Sequence, residues 1–283
     1  MILQTLITAT DLKKNLENPN WVVLDVRYSL VDSEQGRHEY LQTHIPGAVF
    51  LHLEKDLSAE VIPGTTGRHP LPTVEEATRV FSSCGIGPGI QVIAYDNAGG
   101  ALAAVRAWWI LRWLGHDAVA ILDGGWQSWL KGDYPVRSGF ESPPFRVFIP
   151  QMRPEMMVST KDVEQLRRDP DFRLIDARVE ERYKGINENI DPIAGHIPGA
   201  INSPYLNNLT SDGFFRSENE LRDYYKKLLG DVPAYKTIFY CGSGVTAILN
   251  ILALDHIGQK GSRLYAGSWS EWIADKTHPV ALD

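Results

Sequence analysis

The sequence predicts an α/β protein made of two tandem domains, each a parallel sheet flanked by helices, and three observations carry that reading. The chain has 283 residues, too many for one ordinary α/β unit and suited to two of about 130 to 150. Short apolar strands, as at residues 22–26 and 174–177, alternate with helical stretches, the order expected of a parallel sheet covered on both faces. The third observation is that the chain repeats itself.

The repeat runs through the whole length. WVVLDVR, beginning at Trp21, returns as FRLIDAR, beginning at Phe172, so that Asp25 matches Asp176 at a separation of 151. Ahead of it, Thr8 and Asp11 match Ser159 and Asp162, and both pairs read as helix N-caps in which a hydroxyl satisfies an orphan backbone N–H. HIPGAV at His44 matches HIPGAI at His196, separated by 152; VIAYD, ending at Asp96, matches TIFYC, ending at Cys241, separated by 145. GGWQSW, with Trp126 and Trp129, matches GSWSEW, with Trp269 and Trp272, separated by 143. So small a drift over five landmarks indicates a duplicated domain and not a short-period solenoid. Residues 136–157 carry Pro143, Pro144, Pro150 and Pro154, which remove backbone donors and resist helix. The expected division is therefore a first domain at 1–140, an extended linker at 141–157 and a second domain at 158–283.

Composition narrows the class of function. The net charge of −7, without an evident basic cluster, argues against nucleic acid or a membrane surface as partner. The N-terminal stretch does not read as a secretory signal and no long apolar run occurs, so a cytoplasmic protein is expected. Cys84 and Cys241 are the two cysteines. They are too few for a disulfide framework or a cysteine zinc site, and free thiols are expected.

The chemistry concentrates at residues 241–246. Residues 237–240 read as a buried strand and 245–257 as an apolar helix, which makes Cys241-Gly242-Ser243-Gly244-Val245-Thr246 a strand-to-helix turn at the carboxyl end of a sheet strand. Such a turn aims successive backbone N–H groups inward beside a helix N-terminus and forms a site for an anion. The same field stabilises a thiolate. A buried cysteine at a strand end is more often a small hydrophobe, but the flanking glycines favour a nucleophile here. Ala247 stands where a cysteine-dependent phosphatase would need an arginine, six residues after the cysteine, so phosphatase chemistry is disfavoured.

These elements, namely the two D-x-R strands, the two HIPGA turns, the CGSGVT loop and AGSWSEW at residues 266–272, resemble the rhodanese superfamily, and in particular its tandem-domain sulfurtransferases. The resemblance covers essentially the whole chain. It implies that the first domain has lost the nucleophile, as Asp96 opposite Cys241 agrees, and that Cys241 takes sulfur from a small anionic donor as a persulfide and passes it to an acceptor such as a thiol, cyanide or a thioredoxin-like protein. No metal and no organic cofactor is implied. The CGSGVT loop is similar to that of 3-mercaptopyruvate sulfurtransferases, which makes mercaptopyruvate the favoured donor; thiosulfate:cyanide sulfurtransferase and a non-catalytic sulfur-carrier or binding module are the alternatives. The resemblance also implies substrate-binding arginines after the second D-x-R element. Arg182 matches the first, whereas residues 186–194 contain no arginine to match the second. Asp56 and His69 match an accessory acid and histidine of the first domain that stand near the loop serine.

Other polar and aromatic residues read as structural. His44 and His196 recur in both copies, including the one without a nucleophile, and belong to the turn. Arg178 repeats Arg27 and is expected to pair with Asp176. Cys84 reads as a buried helix-end residue, and Trp108, Trp109 and Trp113 as helix core.

Overall fold

A computed structural model describes residues 2–282. The chain divides into two units. The first holds the residues up to Ala59, Leu71–Arg153 and Ser211–Phe215; the second holds Glu60–Pro70, Pro154–Thr210 and the chain from Arg216 onward.

In the first unit the strands are β1 (Leu6–Ile7), β2 (Trp21–Asp25), β3 (Val49–Phe50), β4 (Gln91–Tyr95) and β5 (Val119–Leu122). The helices are α1 (Ala9–Lys14), α2 (Gln35–Gln42), α3 (Leu53–Asp56), α4 (Val74–Ser83), α5 (Ala103–Trp113) and α6 (Gly125–Lys131). All neighbouring strands pair in parallel, in the order β1-β5-β4-β2-β3. The second unit repeats the plan with β6 (Met157–Val158), β7 (Arg173–Asp176), β8 (Ile201–Asn202), β9 (Thr237–Tyr240) and β10 (Arg263–Tyr265), in the parallel order β6-β10-β9-β7-β8. Its helices are α7 (Thr160–Leu166), α8 (Glu180–Tyr183), α9 (Glu218–Leu229), α10 (Ala247–His256) and α11 (Ser268–Trp272).

Side-chain alternation explains why both faces of each sheet are covered. In the second unit Leu174, Ile238, Tyr240 and Tyr265 join one buried cluster with Val163 of α7, Tyr183 of α8 and Trp269 and Trp272 of α11. The intervening Ile175, Phe239 and Leu264 are buried as well, and α10 packs against β9 and β10. A strand buried on both sides has no polar face to alternate with, which is why β9 reads as the unbroken run TIFY. In the first unit β4 is the central strand, buried throughout, and α5 follows it with every residue buried, including Trp108, Trp109 and Trp113.

The paired landmarks do the same work in each unit. Thr8 caps α1 by accepting from the N–H of Asp11, and Ser159 caps α7 by accepting from that of Asp162. Arg27 pairs with Asp25 and Arg178 with Asp176, each pair buried with an N–O distance of 2.6 Å, and each guanidinium lies over the ring of Trp126 or Trp269. His44 stacks on Tyr40 and His196 on Tyr183, each placing Nδ1 within 2.9 Å of that tyrosine's carbonyl oxygen. The proline-rich segment lacks regular structure up to the 3-10 turn at Pro154–Met156. It is tied to the first unit by N–H donations from Arg146 to Ser82, Gln151 to Leu114 and Arg153 to Trp113.

Candidate active site

Cys241 is the residue immediately after β9, a central strand, and is 2% exposed. Helix α10 begins at Ala247, two residues later than the apolar run suggests, because Gly244 turns the backbone into the left-handed region at φ +74° first. A Cβ there would sit 2.1 Å from the carbonyl oxygen of Ala266, so the close turn demands glycine. The turn folds the loop around the sulfur. Burial alone would raise the Cys241 thiol, but the Thr246 hydroxyl and the backbone N–H groups of Ala247, Ser243 and Val245 donate to it and bring it below its ordinary value.

The first unit shows the same loop with a different occupant. Asp96 follows β4 and is fully buried, and its carboxylate accepts from the N–H groups of Ala98 and Gly100, each at 2.8 Å, Leu102 at 2.9 Å and Ala104 at 3.2 Å. Ala98, Gly100 and Leu102 stand 145 residues before Ser243, Val245 and Ala247, the separation that relates Asp96 to Cys241. Both loops are therefore nests of equivalent backbone N–H groups, but the balance differs: burial raises the Asp96 carboxyl despite its four donors, whereas the donors around Cys241 outweigh burial and favour the thiolate.

Residues 265–270 brace the Cys241 backbone from below. The Cys241 N–H donates to Ser268 Oγ at 3.1 Å, and that hydroxyl donates to the Tyr265 carbonyl at 2.9 Å. Trp269 N–H donates to the carbonyl of Cys241 and Ser270 N–H to that of Gly242, both at 3.0 Å. Ser268 adopts φ +56°, an unusual conformation for a side-chain-bearing residue, and its two hydrogen bonds hold it there.

The segment Glu60–Pro70 completes the site within the second unit. A turn closes from Ile62 to Thr66, whose hydroxyl accepts the Ile62 N–H, and Gly67 then passes so close to Gly267 that a Cβ would lie 2.6 Å from its carbonyl oxygen. Arg68 N–H donates to Ser270 Oγ at 3.0 Å. His69 is buried, with Nδ1 2.8 Å from the Oγ of Ser243, so residues 174 apart in sequence meet beside the cysteine.

Two guanidiniums reach the same point of the loop. A Cβ placed on Gly242 would lie 2.7 Å from a terminal nitrogen of Arg68 and 3.5 Å from both terminal nitrogens of Arg182. Glycine leaves that space to the two side chains. Arg182, on α8, is oriented by Glu188 (Nε–Oε2 2.9 Å) and Asp191 (Nη2–Oδ2 2.8 Å), and Asp191 also accepts from Arg68. Burial lowers the Arg68 guanidinium, while the adjacent Cys241 favours its charge.

The predicted residues thus fall in two groups. Cys241 to Thr246, Arg182 and His69 come together in the second unit. Asp56 lies in the first unit at the end of α3, where it accepts the His52 N–H at 2.8 Å. Cys84 caps α4 in that unit, and burial with the nearby Asp56 pushes its thiol up to about 12. Residues 186–194, where the resemblance places a second arginine, hold none, and Arg68 reaches the loop from elsewhere in the chain. The signal for it was Gly67-Arg68 next to His69 in GRHPLP. Glu188 and Asp191, which orient Arg182, come from the stretch at residues 186–194 and carry no sequence signal of their own.

Two stretches of the chain, residues 8–132 and 159–275, match the rhodanese-like domain. The chain belongs to the rhodanese superfamily. Among curated rhodanese relatives, the "Probable 3-mercaptopyruvate sulfurtransferase" of Pseudomonas aeruginosa is 43% identical over 277 residues, covering 98% of this chain and 97% of that one. The thiosulfate sulfurtransferase of Rattus norvegicus is 32% identical, covering 96% of this chain and 91% of its own. Among solved rhodanese structures, 3-mercaptopyruvate sulfurtransferase from Leishmania major superposes with a TM-score of 0.85 at 30% identity, over 95% of this chain and 74% of that one. Similar relatives therefore carry both donor names, and the loop surroundings bear on the choice between them. As to membranes, no helix among the described residues is long and apolar enough to cross one.

Proposed function

We propose that this rhodanese is a sulfurtransferase that moves sulfane sulfur from a small anionic donor, 3-mercaptopyruvate in preference to thiosulfate, to a thiophilic acceptor through a persulfide on Cys241. The observation that carries the reading is the buried Cys241 sulfur at the focus of the Thr246 hydroxyl and three backbone N–H groups, with Arg182 and Arg68 at the neighbouring glycine. A thiolate held in this way attacks the sulfur of mercaptopyruvate. The S–S bond forms as the C–S bond breaks, the electron pair leaves on the enolate of pyruvate, and the proton of the donor thiol ends on carbon. The products are the Cys241 persulfide and pyruvate. In the second half-reaction a thiol, cyanide or thioredoxin-like acceptor takes the outer sulfur and restores the thiolate. The N–H groups that favour a thiolate favour the persulfide anion equally.

Mercaptopyruvate needs a proton moved and thiosulfate does not, since sulfite leaves as an anion. The His69–Ser243 contact is a relay suited to that transfer and favours mercaptopyruvate. Arg182 suits the donor carboxylate. A cytoplasmic setting agrees with two unpaired thiols.

The test is side-by-side kinetics with mercaptopyruvate and thiosulfate, using cyanide or a dithiol as acceptor. The expected result is a higher kcat/KM with mercaptopyruvate, lost in Cys241→Ser and reduced selectively in Arg182→Ala. Comparable selectivity for thiosulfate would overturn the donor assignment. Stoichiometric loading of Cys241 without turnover to any small acceptor would mark a sulfur carrier instead.

A further inference from the structure

Arg68 is an unusual member of a donor site. It comes from the Glu60–Pro70 segment, and yet a terminal nitrogen stands nearer to where a Cβ on Gly242 would lie than any atom of Arg182 does. Its Nε is buried and donates to no group among the described residues, although the rest of the guanidinium reaches Asp191. Asp191 is equally unusual. Its side chain is 2% exposed, one oxygen accepts from Arg68 and the other from Arg182 Nη2, so a single carboxylate spans two guanidiniums beside the nucleophile. Glu188 separately holds Nε of Arg182 and the more distant Arg178, so the orientation of Arg182 does not depend on Asp191 alone.

We propose that Arg68 is the second anion-binding guanidinium of the donor site, and that Asp191 is an internal placeholder whose carboxylate occupies the Arg68–Arg182 pair until the carboxylate of a 2-oxo acid exchanges with it. The inference rests on the sulfurtransferase reading only for the identity of that acid. Its physical basis is charge. Around the loop the guanidiniums of Arg68, Arg178 and Arg182 face the carboxylates of Asp176, Glu188 and Asp191, so before a donor arrives each guanidinium is matched by a carboxylate and the Cys241 thiolate is the one further negative charge. A monoanionic donor that takes over the place of one carboxylate preserves the local pairing, whereas a dianion adds a second charge next to a thiolate. Exchange also gives the unpartnered Nε of Arg68 an acceptor. The arrangement accounts for the absence of an arginine in residues 186–194: that loop supplies the anion of the resting pair, and Glu60–Pro70 supplies the cation.

The experiment separates carboxylate binding from sulfur chemistry. Full-length protein is alkylated on Cys241 with iodoacetamide, an uncharged reagent, across a pyruvate series, and the pyruvate concentration that halves the rate is measured for wild type, Arg68→Gln, Arg68→Lys and Asp191→Asn. Expressing protection relative to each variant's own rate removes any change in thiol reactivity. The expected half-protecting concentration rises at least about 10-fold in Arg68→Gln, as for loss of a charge-assisted hydrogen bond. In Arg68→Lys, which keeps the charge without the planar fork and guards against a folding artefact, it rises by less. In Asp191→Asn it falls about 3-fold or more, because the internal competitor is gone. Unchanged protection in both Arg68 variants overturns the role of Arg68, absence of protection in wild type overturns the site, and weakened protection in Asp191→Asn overturns the placeholder. Mercaptopyruvate turnover by the same wild-type preparation is scored apart: if it fails while protection follows the pattern above, the sulfurtransferase reading falls and the anion site stands.

Discussion

Asp96 and Cys241 stand at the same position of two copies of one loop, and each receives the N–H groups of the residues two, four and six places ahead. The carboxylate of the first unit shows what the loop is built to surround. The cysteine of the second is held by equivalent donors, with the Thr246 hydroxyl added.

The two thiols should differ sharply in reactivity. Cys84 is pushed up to about 12 by burial and stays protonated across the neutral range, whereas the donors around Cys241 bring it below its ordinary value despite burial. Iodoacetamide at pH 7 to 8 should label Cys241 and leave Cys84 intact, as read by peptide mass. The alkylation rate of Cys241 should fall as pH drops through its lowered value, and Thr246→Val should move that limb to higher pH by removing a donor to the anion. Cys84→Ala should retain sulfur transfer, while Cys241→Ser should lose it by about 1000-fold or more.

The His69–Ser243 contact makes a donor-specific prediction. His69→Asn or Ser243→Ala should lower kcat with mercaptopyruvate by about 100-fold, the range of lost proton-transfer catalysis. With thiosulfate, whose leaving group needs no proton, the loss should stay within about 3-fold by the same argument. Equal losses with both donors would assign the pair to loop support.

Gly244→Ala tests the turn that folds the loop. The new Cβ meets the Ala266 carbonyl and the residue keeps a left-handed φ, so the variant should lose about 3 kcal/mol of stability and most of its activity. Urea titration and steady-state rates would show both.

Asp96→Asn tests the carboxylate nest. Its amide nitrogen would face backbone N–H groups that now donate to oxygen, leaving buried donors unmatched at a cost of about 3 kcal/mol. Calorimetry should show the loss, and the alkylation rate of Cys241 in the folded variant should not change.

What was legible in the sequence was local. The CGSGVT turn could be read because its donors, its glycines and its cysteine are consecutive residues between an apolar strand and an apolar helix. The duplication could be read because Asp25, Asp176, His44 and His196 repeat at nearly constant separation. Arg68 could not be read in the same way. It belongs to no periodic element, and its approach to Gly242 depends on a close pass of Gly67 over Gly267 and a hydrogen bond to Ser270, contacts that only the folded chain makes. Asp191 was hidden for the opposite reason: an acid in a stretch searched for a base looks like an absence. Ser268 gave no sign at all, since its left-handed backbone is imposed by the loop it braces.

The aspartate lodged in the first loop shows how a duplicated fold can keep one loop twice with a thiol in only one copy. A nucleophile must be free to change its chemical form with each turnover, and an aspartate at the same place has no such duty. The exchange turns a workplace into a keystone, which keeps the surrounding backbone ordered without any visitor. An electrophile or oxidant that consumes Cys241 therefore meets no equivalent target in the other half of the chain, and poisoning this protein and unfolding it become separate events.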